Sequence, residues 1–105
     1  MPGVETDGIT SFLNLILSAG KDQRLALLRN ISSKQGQIIR QVAYNILINS
    51  SIPLQADDRD YLRRNIGILR KLASRRVDIH EKRDILVKKH LLAKAIARIA
   101  VNYLR

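Results

Sequence analysis

Apolar residues recur along this chain every three or four positions, the spacing that places side chains on one face of an α-helix. No segment alternates apolar and polar residues over a useful length, so no strand is predicted and the fold class is all-α. The first helix is predicted to begin at Thr10 and to end near Gly20, a candidate C′ residue. A second covers 21–30, and both are short enough to need packing for stability. The apolar positions of the first helix are Phe12, Leu13, Ile16 and Leu17.

The central core helix is predicted behind Ser32. Ser32 with Gln35 three residues later is the pattern of a capping box, in which each side chain bonds to the other residue's backbone N–H. An extended link is expected around Ile52, because a residue before proline avoids the helical region. The apolar stripe of this helix is Ile38, Ile39, Val42, Ala43, Ile46 and Leu47.

The stretch 61–89 combines apolar and basic residues on opposite helical faces. Read as one helix to about Ser74, its apolar arc is Leu62, Ile66, Leu69, Leu72 and Ala73. The opposite arc is Arg63, Arg64, Arg70, Lys71 and Arg75. Gly67 and Ser74 lie within the basic arc, so no large side chain would hold a partner away. This pattern predicts one face for the core and one for a polyanion.

A turn is predicted at Arg76 and Val77, followed by Asp78 as an N-cap with Glu81 three residues on. The pair of helices over 58–89 then forms a helix–turn–helix-like basic unit. From Ile79 to the end the pattern is helical, and it fits either one helix or two. The last stripe is Leu91, Leu92, Ala95, Ile96, Ile99, Ala100, Tyr103 and Leu104. In all, a compact bundle of five or six short helices is expected.

The chain has 105 residues, which is the size of one domain. Residues 1–8 are predicted to be a flexible tail and 9–105 a single helical domain with a neutral half, 9–54, and a basic half, 55–105. Residues 1–60 hold six basic and six acidic residues, whereas 61–105 hold thirteen and three, so the whole net charge of +10 lies there. There is no cysteine and hence no disulfide, and no apolar run could span a bilayer.

This charge asymmetry favours a polyanionic partner, and DNA is the partner predicted. Contact through phosphates would be sensitive to salt and tolerant of sequence. The helix after the turn offers His80, Lys82 and Arg83 but little Asn or Gln for base edges, which favours backbone contact over readout. The predicted DNA-binding residues are Arg63, Arg64, Arg70, Lys71, Arg75, Arg76, Lys82, Arg83, Lys88 and Lys89.

Catalytic chemistry has little support in the sequence. His80 and His90 are ten residues apart and flanked by charges, which is typical of solvated or half-packed histidines. Asp57, Asp58 and Asp60 are explained by the positive end of a helix dipole. No glycine pattern for a phosphate-binding loop is present. The chain is therefore expected to be a non-enzyme with no metal, cofactor or small-molecule substrate.

The ordered series of these features resembles a short basic helical protein of the Maverick/Polinton (adintovirus-like) DNA elements. The resemblance covers about residues 12 to 90 and depends on the series FLNLILSAGKDQRLALLRN, VAYNILINSSIPL and YLRRNIGILRKLASRRVDIHEKRDILVKK. The sequence departs from the family pattern at Gln55 and Asp78, which replace the usual capping serines, and at 89–92, where a glycine pair is usual. The last helix is therefore expected to pack differently from the relatives'.

The resemblance implies a small virus-like protein, in the manner of a basic virion core protein that packages DNA. Because these elements carry virion genes, it also implies an intracellular location, in the host nucleus or the virion.

Two alternatives remain open. The wide stripes at 38–47 and 91–104 are also typical of a protein–protein interaction or self-assembly module, either a homodimer or higher oligomer or a domain whose basic face meets an acidic partner. A membrane-surface protein is disfavoured, because the chain has no Trp to anchor basic amphipathic helices in the interface.

Overall fold

The computed structural model describes residues 2–49, 52 and 54–104, and the side chains of 8–49, 52 and 54–103. The described residues form helices and no strand, which confirms the all-α class, and the radius of gyration of 12.8 Å is that of a compact chain of this length. The seven helices are α1 (Pro2–Ser18), α2 (Lys21–Arg29), α3 (Ser33–Ile48), α4 (Ala56–Arg64), α5 (Ile66–Ala73), α6 (Ile79–Lys88) and α7 (His90–Leu104).

The helices pair in a nested order. α1 packs mainly against α7, α2 against α6, and α3 against α5, so the chain folds back on itself with α4 next to the reversal. The neutral first half thus supplies one helix of each pair and the basic second half supplies the other. Arg98 of α7 forms an ion pair with Asp58 in the first turn of α4 and joins the reversal to the last helix.

α7 is the central helix of the core. Its residues are buried on nearly every side, and the positions nearest to solvent include Lys94, Arg98 and Asn102, four residues apart on one narrow line. A helix whose polar residues are confined to one narrow line can be enclosed by the domain on its other sides. Leu91, predicted as part of the apolar stripe, is 57% exposed instead, and Tyr103 is exposed too. The buried residues of α7 are Leu92, Ala93, Ala95, Ile96, Ala97, Ile99, Ala100 and Val101.

α3, predicted to be the central core helix, is only partly enclosed. Ile39 and Ala43 are buried, but Ile38, Val42 and Ile46 are half-buried. These three line an apolar groove of about 770 Å³ between α1, α3 and α7. The stripe was identified correctly as apolar, but only half of its width faces the core.

Helix starts follow their capping residues. Ser32 Oγ accepts from the N–H of Gln35 at 3.0 Å, and Gln35 Oε1 accepts from the N–H of Ser32 at 2.9 Å, which confirms the predicted capping box. Asp78 Oδ1 accepts from the N–H of Glu81 at 2.9 Å, as predicted for an N-cap. Gln55 precedes α4 and makes no side-chain cap.

The basic stretch is not one helix. Asn65 interrupts it between α4 and α5: its side-chain Nδ2 donates to the carbonyl oxygen of Tyr61 at 2.9 Å. Asparagine favours such local bonds over helix continuation. Ile66, placed by a continuous helix in the apolar arc, consequently turns outward and is 37% exposed. A single residue, Lys89, likewise separates α6 from α7, which resolves 79–104 as two helices.

Four further expectations differ from the structure. The described residues form seven helices rather than five or six, and the helix–turn–helix-like basic pair is not confirmed, because 58–89 contains three helices. α1 begins at Pro2 rather than at Thr10, and proline suits a first helical position. Gly20 has extended backbone and precedes α2 as its N-cap instead of terminating α1 in a left-handed conformation.

Gly36 allows α3 and α6 to approach each other. It is buried, and a Cβ at this position would collide with the Ile79 side chain at the start of α6. The close approach brings one face of α3 next to the first turn of α6, where a basic cleft forms.

Candidate nucleic-acid interface

Eight of the ten predicted DNA-binding residues are exposed. They lie in the last turns of α4, α5 and α6 or directly after them, where a cation is favoured by the negative end of the helix dipole. Within the described part of the chain, none of the eight has an ion-pair partner. The eight are Arg63, Arg64, Arg70, Lys71, Arg75, Arg76, Lys88 and Lys89.

α5 presents the most open part of this surface. Leu69, Leu72 and Ala73 are buried, whereas Arg70 and Lys71 project from the opposite arc. Gly67 lies between these two basic residues on the helical projection, and nothing is within 4 Å of where its Cβ would be. No large side chain therefore stands between Arg70 and Lys71, as the helical pattern of the sequence indicated.

Arg83 has a different position from the other basic residues. It is half-buried, and its Nε and Nη2 donate to the carbonyl oxygen of Ile31 at 3.0 and 2.6 Å. Ile31 lies in the connection between α2 and α3 and is buried. The guanidinium of Arg83 thus satisfies a buried carbonyl and holds α6 to that connection.

Lys82 is also set apart, since it is only 6% exposed. Within the described part of the chain its ammonium has neither a hydrogen bond nor an ion pair. Burial lowers the pKa of Lys82 from its ordinary value, and the nearby Arg40 lowers it further. Both effects disfavour the charged form, and nothing in the described structure offsets them.

The Lys82 side chain lines a cleft of about 490 Å³ between α3, α6 and the loop that follows α5. The contribution of α3 has the helical spacing i, i+3, i+4 and i+7, which puts its lining residues on one face. None of the residues recorded along the cleft is acidic. They are Ser33, Gly36, Gln37, Arg40, Arg75, Val77, Ile79 and Lys82.

Arg24 is a second buried cation that the sequence analysis did not single out. It is 5% exposed; its Nη1 donates to the carbonyl oxygen of Ala19 at 3.0 Å, and its Nη2 lies 3.5 Å from His90 Nδ1. Its Nε is buried without a partner among the described residues. Burial lowers the pKa of His90, and the positive charges of Arg24 and Lys21 lower it further. A neutral imidazole can accept a hydrogen bond from the guanidinium.

Both buried cations have a signal in the sequence. Lys82 follows Ile79 by three residues and precedes Leu86 by four, so it falls on the apolar face of α6. Arg24 likewise precedes Leu28 by four residues on α2. A basic residue inside an apolar stripe would have identified each of them.

Two other features, a metal site and a membrane-spanning helix, are absent from the described ranges. No group of three or more His, Asp or Glu residues is placed to hold a metal ion there. Across the same ranges, each helix is too short or too polar to cross a bilayer.

Comparison with known proteins gives no match: no protein family fits the sequence, and no curated protein or solved structure is similar to the chain. The resemblance to Maverick/Polinton proteins therefore stays a prediction.

Proposed function

We propose that this protein is a non-enzymatic DNA-binding protein that contacts phosphates through the eight exposed basic residues of 63–89. The observation that carries the proposal is that all eight are exposed and that none has an ion-pair partner in the described part of the chain. We call these eight residues the basic surface. A polyanion can bind to unpaired surface cations without an internal ion pair having to break first.

The interaction is electrostatic and tolerant of sequence. Each phosphate neutralised by Lys or Arg releases condensed counterions, so affinity falls steeply as salt rises. The tyrosines, Tyr44, Tyr61 and Tyr103, are distant in sequence from most of the basic residues, which favours backbone contact over base stacking.

The role that suits such binding is DNA packaging or architecture in a virus-like element, with a location in the host nucleus or the virion. Support comes from the resemblance to Maverick/Polinton proteins together with the charge of +10 concentrated after residue 60.

Binding to a random-sequence duplex, measured by fluorescence anisotropy from roughly 50 to 300 mM salt, tests the proposal. With four or more phosphates neutralised, log K should fall against log salt with a slope of about −3.6 or steeper. The triple variant Arg63→Glu/Arg70→Glu/Lys71→Glu should lose most of this affinity. It should keep its melting temperature nearly unchanged, because all three side chains are exposed.

A matched control separates the surface from bulk charge. Lys21→Glu/Arg29→Glu/Lys34→Glu makes the same change in net charge with exposed residues of the neutral half. Equal losses of affinity in the two triple variants would reject a localised DNA surface, and absence of wild-type binding at the lowest salt would reject DNA as the partner.

A second candidate function is self-assembly, and the groove between α1, α3 and α7 favours it. Half-buried Ile38, Val42 and Ile46 line the groove, and exposed Tyr103 lies along it. Tyr44 and Ile48 leave further apolar surface exposed on α3. Sedimentation equilibrium at rising concentration tests this function. Dimerisation that Val42→Glu abolishes would support it, and a monomer throughout would reject it.

A further inference from the structure

We propose that the cleft between α3 and α6 is a binding site for a phosphate group, held by Lys82, Arg40 and Arg75. The site shares Arg75 with the basic surface but is otherwise distinct from it, because Arg40 and Lys82 are not part of that surface and the other seven residues of the surface do not line the cleft.

The first argument is the chemistry of the lining. Three cations from three parts of the chain meet in one cleft: Arg40 from α3, Arg75 from the loop after α5, and Lys82 from α6. No carboxylate is recorded among the lining residues to balance them. Gln37 and Ser33 add an amide and a hydroxyl that can donate to oxygen. Such a donor set, rich in charge and without acceptor anions, matches a tetrahedral oxyanion.

The second argument is the burial of Lys82. Enclosure of most of the side chain desolvates the ammonium in part, although its nitrogen keeps contact with solvent, and this loss of hydration disfavours the charged form. Lys82 is 6% exposed and has no polar partner within the described part of the chain. An anion in the cleft would supply the missing partner and would also relieve the repulsion between Lys82 and Arg40.

The third argument is access and shape. Arg75 is exposed, so a ligand can reach the cleft from solvent. The volume of about 490 Å³ has room for more than a bare ion. No aromatic residue is recorded along the cleft, so a base would have no stacking partner among the lining residues. The ligand is therefore recognised by its phosphate, which belongs either to a small phosphorylated molecule or to a nucleic-acid backbone.

Thermal unfolding in inorganic phosphate, compared with chloride at equal ionic strength, tests the site. For one site the folding equilibrium rises by the factor 1 + [L]/Kd, or roughly 100-fold at 100 times Kd. Wild type should show this saturable rise. Lys82→Met should bind phosphate about tenfold or more weakly, since a charge-assisted hydrogen bond is lost. Lys21→Met, a matched change at an exposed position of α2 outside both the cleft and the basic surface, should behave as wild type.

A second matched pair avoids the buried position. Arg75 and Arg76 are adjacent and exposed, but only Arg75 is recorded along the cleft. Titration of phosphate by calorimetry should show weaker binding to Arg75→Gln and unchanged binding to Arg76→Gln. Equal effects within either pair, or a phosphate-induced rise that persists in full in Lys82→Met, would overturn the proposal.

The two sources of phosphate are separated by the duplex assay. If Lys82→Met lowers duplex affinity more than Lys21→Met does, the site takes a backbone phosphate. Unchanged duplex affinity, with phosphate binding lost, assigns the site to a small phosphorylated molecule. The charge-reversed triple variant should lose duplex binding and keep the response to phosphate, so failure of one proposal is distinguishable from failure of the other.

Discussion

Lys82 and Arg83 are neighbours in sequence, yet their side chains serve two different regions of the molecule. The Arg83 guanidinium reaches the connection between α2 and α3, where it binds the carbonyl oxygen of Ile31. Arg24 does the same at the connection between α1 and α2, where it binds the carbonyl oxygen of Ala19. Lys82 instead faces a cleft that holds two further cations and has no partner of its own in the described structure.

The difference shows what decides whether a buried cation stabilises a fold. At the helix connections, an arginine donates to a backbone carbonyl in place of water. In the cleft, the lysine loses part of its hydration, and no partner in the described structure offsets this loss. The arginines at the helix connections therefore stabilise the fold. The cleft, by contrast, carries positive charge that an external anion would balance.

Removal of Arg83 should have the largest effect of the changes that probe this comparison. Arg83→Met leaves the buried carbonyl of Ile31 without its donor, and hydrogen bonds from a charged group are worth about 1.5–3 kcal/mol. The free energy of unfolding, measured by urea denaturation, should fall by this amount. Lys82→Met at the adjacent position should leave it unchanged or raise it, since the substitution removes a partly desolvated charge that has no partner in the described structure.

Arg83→Lys sharpens the same test. An ammonium is a point charge and cannot reproduce the two guanidinium bonds that converge on one carbonyl oxygen, so it should recover only part of the loss. Equal stability of Arg83→Met and Lys82→Met would show that the two positions do not differ in the way described.

The sequence predicted local structure better than it predicted the use of individual basic residues. The capping box at Ser32 and the cap at Asp78 depend on neighbours three residues away, so the pattern alone is sufficient. The exposure of Arg70 and Lys71 follows equally from helical period.

Tertiary contacts decide the rest. The bond from Arg83 to Ile31 joins residues 52 apart, and no pattern within α6 indicates it. The helix break at Asn65 could not be predicted from the apolar period either, because the apolar stripe of the sequence continues across this residue. The cleft exists because Gly36 lets α3 approach Ile79, a contact between distant parts of the chain. The number of helices and the presence of the cleft could therefore be established only from the structure.

Removal of Arg24 should cost less than removal of Arg83. Arg24→Met deprives the carbonyl of Ala19 of its side-chain donor, but it also removes an Nε that is buried without a partner in the described chain. The gain from the second effect offsets part of the first, so we expect a loss of about 0.5–2 kcal/mol in urea denaturation. A loss larger than that of Arg83→Met would mean that the contact with His90 contributes more than its 3.5 Å length indicates.

The smallest expected effect is the pH dependence of stability that arises from His90, the neighbour of Arg24. Burial, with Arg24 and Lys21 nearby, lowers the pKa of His90 below its ordinary 6.5. The unfolded chain therefore binds a proton at this residue before the folded chain does, and stability falls as pH decreases from 6.5 towards the folded pKa. Above 6.5 the residue is neutral in both states and its contribution no longer changes with pH.

His90→Gln should flatten this part of the pH profile, because glutamine offers an acceptor to Arg24 and takes up no proton. Thermal unfolding between about pH 5 and 7.5 measures the difference from wild type. His80→Gln, an exposed position on α6, is the matched control and should keep the wild-type slope. Parallel profiles for all three proteins would mean that His90 is not held neutral beside Arg24. The guanidinium of Arg24 would then be left with the Ala19 carbonyl as its hydrogen-bond partner. Its environment would be closer to that of Lys82 in the cleft than to that of Arg83.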